Sequence, residues 1–241
     1  MCKRLIVNAD DFGLSEGVNY GIIKAFKEGI VTSATIMANM PGFAHAVELS
    51  KQYPELAIGV HLTLTTYKPV VTTHKNIVDK DGYFLPQSAI DHIDVEEAYQ
   101  ELKAQISKVI DSGIPIDHFD SHHHIHTQPS LKVVMEKLYE EYQLPFRGGF
   151  LYETNIREKS ESNIQFYDKG VSIESFKTIV STLSEHDVTE LMCHPAYIDS
   201  FLYQITSYNM LRMKEVDILC DEQVKRVLQE EVVSLLTYSQ L

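Results

Sequence analysis

Four of the five residues from His122 to His126 are histidine, and Asp120 stands two positions ahead of them. Neutral imidazoles and carboxylates are the usual ligands of zinc and similar divalent cations, so this density of both points to a metal site. On an extended chain His122 and His124 project to the same side; either can reach the ion, which leaves the other to face the substrate. Asp10-Asp11 follow the apolar run Leu5-Ile6-Val7. Two adjacent carboxylates at a strand end are expected to point apart, which suits a division of labour. One binds the cation, and its neighbour takes a proton from a water acidified by the metal.

His61 follows Ile58-Gly59-Val60, and His194 follows the apolar stretch Val188–Cys193. Singly, each reads as well as a core histidine. Jointly they matter more, because one aspartate and two histidines leave open positions on a metal for water and a substrate oxygen. Hydrolysis of this kind also needs a proton donor for the leaving group, a role an imidazole fills near neutral pH, and His194 is the candidate. Arg147 is suited to orienting a carboxylate such as Asp10 or to binding the substrate. His45, His74, His92, His118 and His186 have no evident partners and read as structural or exposed.

The elements that must hold these residues alternate between strand and helix. Leu5-Ile6-Val7 reads as a strand, and Ser15 caps a helix carrying Val18, Ile22, Ala25 and Phe26 that ends at Gly29. Ser33–Ala38 is a second strand, followed by a helix with Phe43, Ala46, Val47 and Ser50; Leu56–Val60 is a third strand, ending in His61. Residues 65–93 show turn signals and little periodicity, as a loop excursion or lid would. Asp94 and Glu97 have capping-box spacing ahead of a helix through Ile110, and Ile116–Phe119 is a strand that delivers Asp120. A helix through Leu131–Tyr142, a short strand at Phe146-Arg147, a turn at Gly148-Gly149 and a polar loop over Asn155–Gly170 come next. A helix through Ile173–Leu183, the strand Val188–Cys193, a helix through Val224–Leu228 and a last strand Val232–Leu236 complete the reading.

This alternation predicts an α/β, (β/α) barrel-like domain, TIM-like but irregular, filling residues 1–241 as one unit with the excursion near 65–93. Asp10-Asp11, His61, Asp120-Ser121-His122 and His194 all fall just beyond the C-terminal ends of predicted strands. That is the face on which such barrels build active sites.

Composition narrows the partners. A net charge of −13 opposes binding to nucleic acid or anionic lipid, and no apolar run is long enough to span a membrane. The apolar run after Met1-Cys2-Lys3-Arg4 is too short for a signal-peptide core, and the three cysteines Cys2, Cys193 and Cys220 are an odd, widely spaced set. Both fit a cytoplasmic setting with reduced thiols. The expected partner is a small, neutral or cationic substrate, and a homodimer is compatible with this reading.

Val7–Gly13, Gly29–Thr35, Gly59-Val60-His61-Leu62, Asp120–His126 and His194-Pro195 together resemble the YdjC-like carbohydrate deacetylases, in order and over most of the chain. The resemblance implies one divalent ion, Mg²⁺ or Zn²⁺, on Asp11, His61 and His122, with Asp10 as general base and His194 as acid. It further implies removal of acetyl groups from N-acetylglucosamine units of short chitin-derived oligosaccharides such as diacetylchitobiose, free or 6-phosphorylated. Some of the family continue the late motif as His-Pro-Gly, whereas this chain has His194-Pro195-Ala196. The 65–93 excursion and the 152–170 loop are the segments expected to set substrate length. Two rival readings are a phosphoesterase using two or three metals on a histidine-rich barrel, and a non-catalytic sugar-binding or regulatory protein.

Overall fold

Leu5, Ile6 and Val7 lie in the middle of a strand much longer than their own run, β1 (Lys3–Phe12), so Asp10 and Asp11 belong to the strand itself. In a computed structural model that describes residues 2–157 and 160–241, β1 is followed by α1 (Glu16–Glu28), β2 (Ser33–Ile36), α2 (Phe43–Gln52) and β3 (Ala57–Leu62). Then come α3 (Val95–Asp111), β4 (Ile116–Ser121), α4 (Lys132–Tyr142), β5 (Glu161–Asn163) and α5 (Ile173–Ser181). The chain ends with β6 (Val188–Cys193), α6 (Ser200–Ile205), α7 (Met210–Leu219), α8 (Glu222–Glu230) and β7 (Val233–Leu235). No helix among the described residues is long and apolar enough to cross a membrane.

The strands form one parallel sheet in the order β4-β3-β2-β1-β6-β5, with β7 also paired to β1. Helices cover such a sheet from outside, which is why β2 and β6 are buried at every residue instead of alternating. The expected (β/α) barrel-like architecture is thus present, but seven strands are used and β4 is not joined to β5 among the described residues. β2 and β7 share one edge of β1, β2 pairing with Asn8–Phe12 and β7 with Lys3–Leu5. Thr32 bridges the gap between them. Its hydroxyl accepts from Val7 N–H at 3.2 Å and donates to the Leu236 carbonyl at 2.7 Å.

Local chemistry sets several boundaries. Ser15 caps α1 by accepting from Val18 N–H, and Asp94 caps α3 by accepting from Glu97 N–H at 3.0 Å. The second half of the expected capping box is absent there. The Glu97 carboxylate instead accepts the backbone N–H groups of Lys75, Asn76 and Ile77, and Glu101, one turn on, accepts those of Val70 and Val71. The 65–93 excursion is therefore fastened to α3 by the half-buried carboxylate of Glu97 and the buried one of Glu101, and its regular structure is a 3₁₀ turn at Gln87–His92.

Three expectations change. Phe146-Arg147 makes an isolated bridge to Phe119 and no strand, because the segment enters the sheet edge at one residue only. The polar loop over Asn155–Gly170 contains β5, which pairs with β6; residues 158 and 159 of that loop, like Met1, lie outside the described residues. Residues 200–219, for which periodicity predicts no element, form α6 and α7. α7 buries Arg212 and Glu215 together with Val216, Ile218 and Leu219, so its inward face has no apolar stripe to reveal it.

One hydrophobic cluster runs from Leu5 to Leu228 and joins the sheet to its helices. α1 meets the turn after β6 without a side chain between them: a Cβ at Gly21 would lie 2.4 Å from Cα of Ala196. Because backbone cannot retreat as a flexible side chain does, Gly21→Ala should push the His194-Pro195-Ala196 segment outward. A loss of about 1–3 kcal/mol in unfolding free energy is expected, read from urea denaturation.

Candidate metal centre and active site

Successive side chains of a regular strand face opposite ways, yet Asp10 and Asp11 line the same cavity. The expectation that they point apart is corrected by the backbone: Asp11 has φ +70°, and the register of β1 shifts between Ala9 and Phe12. This bulge turns the Asp11 carboxylate onto the face that Asp10 already occupies. The left-handed conformation is one aspartate tolerates better than most residues.

The Asp11 carboxylate meets two imidazoles. Its Oδ1 is 3.3 Å from His61 Nε2, which projects from β3, and 3.0 Å from His122 Nδ1, just after β4. The three ligand atoms lie within 4.8 Å of one another, one hard oxygen with two imidazole nitrogens. His61 Nδ1 faces Asp120 Oδ1 at 2.7 Å, the outer carboxylate contact that orients a metal-bound histidine with its other nitrogen free. Burial opposes a charge on His61, yet Asp120 and Asp11 raise its pKa to about 10, so the three residues already hold one positive charge as a proton. A divalent cation fits where that proton sits. Asp11 itself, despite burial, is kept well below the usual carboxylate range by Arg212 and His122; Arg212 Nη2 is 2.8 Å from its Oδ2.

The histidine cluster is not extended, which overturns the alternation expected for it. Residues 122–127 form a tight 3₁₀ segment in which His123 (φ 55°) and His124 (φ 53°) are left-handed. The Ser121 hydroxyl accepts the His126 N–H at 2.9 Å and closes the turn. Each imidazole thereby takes its own direction. His122 turns to Asp11, His123 to the Thr65 hydroxyl at 2.9 Å, His124 to the cavity wall, and His126 into the core.

Behind Asp10 lies a wholly buried guanidinium. Arg147 donates to both oxygens of Asp10, at 2.8 and 2.6 Å, and to Glu190 at 2.7 Å, and its Nη2 is 2.8 Å from Asp120 Oδ2. Burial would raise the Asp10 pKa, but the Arg147 charge outweighs it and holds the carboxyl below its ordinary value. Of the two roles open to Arg147, orienting Asp10 is the one it occupies; it does not line the cavity, because all its donors point at carboxylates. A substrate-binding Arg147 is corrected accordingly.

His194 Nε2 lies 3.9 Å from Asp10 Oδ2. Burial, reinforced by the charge of Arg212, lowers its pKa to about 3, so the resting imidazole is neutral. Its backbone N–H donates to Glu215, which also accepts from the Tyr208 hydroxyl at 2.5 Å. Burial lifts Glu215 to about 7. The cavity floor thus carries Asp10, Asp11, His61, His122 and His194 in a space of about 530 Å³, with His124 on its wall.

Sequence reasoning did not find Arg212, Glu215, Tyr208, Glu190 or Tyr238. The Tyr238 hydroxyl donates to Glu190 behind Arg147, and its ring stacks on His118 with centroids 3.8 Å apart. The only local signal was the i, i+3 spacing of Arg212 and Glu215, which is common on exposed helices. Three histidines read as partnerless have partners: His74 packs between Glu97 and Glu101, His45 faces Asn19, and His118 Nδ1 is 2.7 Å from Asp117 Oδ1.

A cavity at the C-terminal ends of parallel strands, floored by carboxylates and imidazoles, defines a hydrolase-type α/β barrel that carries, among the described residues, two overlapping sets of candidate metal ligands sharing His61. The profile of the YdjC-like protein family matches residues 4–230, and the chain belongs to that family. It is 39% identical over 248 residues to a carbohydrate deacetylase of Brevibacillus brevis, covering 99% of both chains. It is 40% identical over 242 residues to a carbohydrate deacetylase of Vibrio campbellii, covering 99% of this chain and 96% of the other. A crystal structure from Enterococcus faecalis V583, of a protein provisionally assigned to cellobiose-phosphate cleavage, superposes with a TM-score of 0.94 at 39% identity, covering 100% and 99% of the two chains.

Two measurements follow from these charges. Arg147→Met leaves three buried carboxylates without their cation and should cost about 3–5 kcal/mol of stability by urea denaturation. His126 and His194 both have pKa values near 3, lowered from 6.5 chiefly by burial, so their neutral forms stabilise the fold fully above pH 6.5. Below that the unfolded chain binds protons the native state refuses, and stability falls as pH drops from 6.5 toward 3. His61, at about 10, acts oppositely: the native state holds its proton, and stability falls as pH rises from 6.5 through 10. In chelator, urea midpoints should therefore peak near pH 6.5, and His126→Phe should flatten the acid limb.

Proposed function

We propose that this chain is a metal-dependent carbohydrate deacetylase that removes acetyl groups from N-acetylglucosamine units of short chitin-derived oligosaccharides. The observation that carries this reading is the meeting, in one cavity, of the Asp11, His61 and His122 donor set with Asp10 and His194. The carbohydrate deacetylases of B. brevis and V. campbellii, alike over their full lengths, support it.

Asp11, His61 and His122 would hold a divalent cation, magnesium or zinc, which when bound polarises the acetamide carbonyl and makes a neighbouring water more acidic. The chain's own groups manage the protons. Asp10 is ionised and fixed in direction by Arg147, so it is available as the base that takes a proton from the attacking water. His194 is neutral at rest, and therefore the proton it delivers to the departing amine arrives during turnover, from Asp10 3.9 Å away. Water and amide become acetate and a free amine, with both carboxylate and imidazole restored.

A phosphoesterase with several metals finds less support. The other three-ligand group among the described residues is Asp10, His61 and Asp120, and Arg147 already stands between its two carboxylates at 2.6 and 2.8 Å. A purely sugar-binding role leaves the His194 imidazole, facing Asp10 across 3.9 Å, without a task.

Incubation with diacetylchitobiose and Mg²⁺, Zn²⁺ or Co²⁺ should release acetate, and chelation should stop it reversibly. Asp10→Asn should lower kcat by about 10²–10⁴-fold; a variant with undiminished rate would refute the base assignment. Calorimetry should give one tightly bound ion per chain, and two would favour the phosphoesterase.

A further inference from the structure

The catalytic cavity does not end at His194. A second cavity of about 440 Å³ shares Tyr167 and Tyr208 with it and continues along Asp168, Ser207, Asn209 and Met210. The shared wall is aromatic and rigid. Tyr167 stacks on Tyr208, with centroids 4.1 Å apart and planes 24° from parallel, and Tyr208 is itself anchored through its hydroxyl to Glu215. Tyr167 is nevertheless 42% exposed, a large flat ring held in place at the junction of two cavities.

An exposed aromatic ring beside a polar reaction centre is suited to the C–H face of a sugar, which offers it an apolar surface while the sugar's edge hydroxyls seek polar partners. Such partners are at hand. The Asn209 side chain is committed to Thr206 and Met210 backbone groups, but among the described residues the Ser207 hydroxyl and the Asp168 carboxylate make no side-chain hydrogen bond. Charge narrows the occupant further. Among the described residues the second cavity is lined by no lysine or arginine, and the one such residue lining the first, Arg212, already pairs with Asp11. Asp168 would repel a phosphate group.

We propose that the second cavity is the subsite for the sugar unit adjoining the one that loses its acetyl group, that Tyr167 is its stacking platform, and that this unit carries no phosphate. The inference rests on the carbohydrate deacetylase reading and specifies it: the substrate has at least two sugar units, and the adjoining one is neutral or cationic.

Binding and turnover test the subsite separately. Affinities of N-acetylglucosamine, diacetylchitobiose and its 6-phosphorylated form are measured by calorimetry on the metal-loaded Asp10→Asn protein, with and without Tyr167→Ala, Tyr167→Phe or Asp168→Asn. Diacetylchitobiose should bind about tenfold more tightly than the monosaccharide and than its phosphorylated form. Tyr167→Ala should erase most of the dimer's advantage, Tyr167→Phe should keep it, and Asp168→Asn should narrow the gap between plain and phosphorylated dimers. Equal affinity for monomer and dimer, an advantage that survives Tyr167→Ala, or tighter binding of the phosphorylated dimer would overturn the proposal. If the dimer binds as expected but the unmodified protein releases no acetate with any of the three metals, the deacetylase reading falls while the subsite stands. Circular dichroism of Tyr167→Ala, and the Tyr167→Phe partner, separate loss of the platform from loss of fold.

Discussion

Three carboxylates from three different strands converge on the guanidinium of Arg147: Asp10 from β1, Asp120 from β4 and Glu190 from β6. None of these side chains is more than marginally exposed, and an uncompensated charge at that depth would be prohibitive. The fold therefore has to bring them together. Once it has, directions follow in sequence: Arg147 fixes both oxygens of Asp10 and one of Asp120, Asp120 fixes Nδ1 of His61, and His61 is left with Nε2 toward Asp11. Asn8 and Thr35 fill the remaining hydrogen-bonding positions, Asn8 donating to Asp10 and Thr35 to Asp120, both at 2.9 Å. One cation placed behind both thus sets the direction of Asp10, the proposed base, and of His61, a candidate metal ligand.

That arrangement needs irregular backbone at two places. At Asp11 the left-handed bulge puts neighbouring carboxylates on one face, and at His123 and His124 two left-handed residues fan a run of histidines into separate directions. Such conformations cost free energy and persist where surrounding structure determines them. Here the surroundings are the buried ends of parallel strands, closed by the Ser121 hydroxyl on one side and by the Arg212 ion pair on the other. The candidate site sits where the regular ladder is interrupted. The rest of the sheet supplies rigidity.

Around that floor the walls differ in character. The histidine cluster and the excursion fastened to α3 make one side polar, while Tyr167, Tyr208 and the loop after α6 make the other aromatic. Glu215 links the second wall to the floor, since it holds both the Tyr208 hydroxyl and the backbone of His194. A change in that wall is therefore felt by the group that faces Asp10.

Periodicity and turn chemistry were enough to read most strands, the helices with apolar stripes and the excursion, because those signals depend on neighbours a few residues apart. Residue type and strand-end position were enough to single out Asp10, Asp11, His61, His194 and the histidine cluster. Whether His122 or His124 turns to Asp11 depended on two left-handed residues no spacing announces. Asp10 and Arg147 are 137 residues apart, and Arg147 and Glu190 are 43 apart. α7 hid its role because charged side chains occupy its buried face. By itself the sequence determined which chemical groups were available and which strand ends would carry them. Tertiary structure alone decided which carboxylate is neutralised by which cation, since such pairing is set by distance and burial in space and leaves no trace in the local pattern.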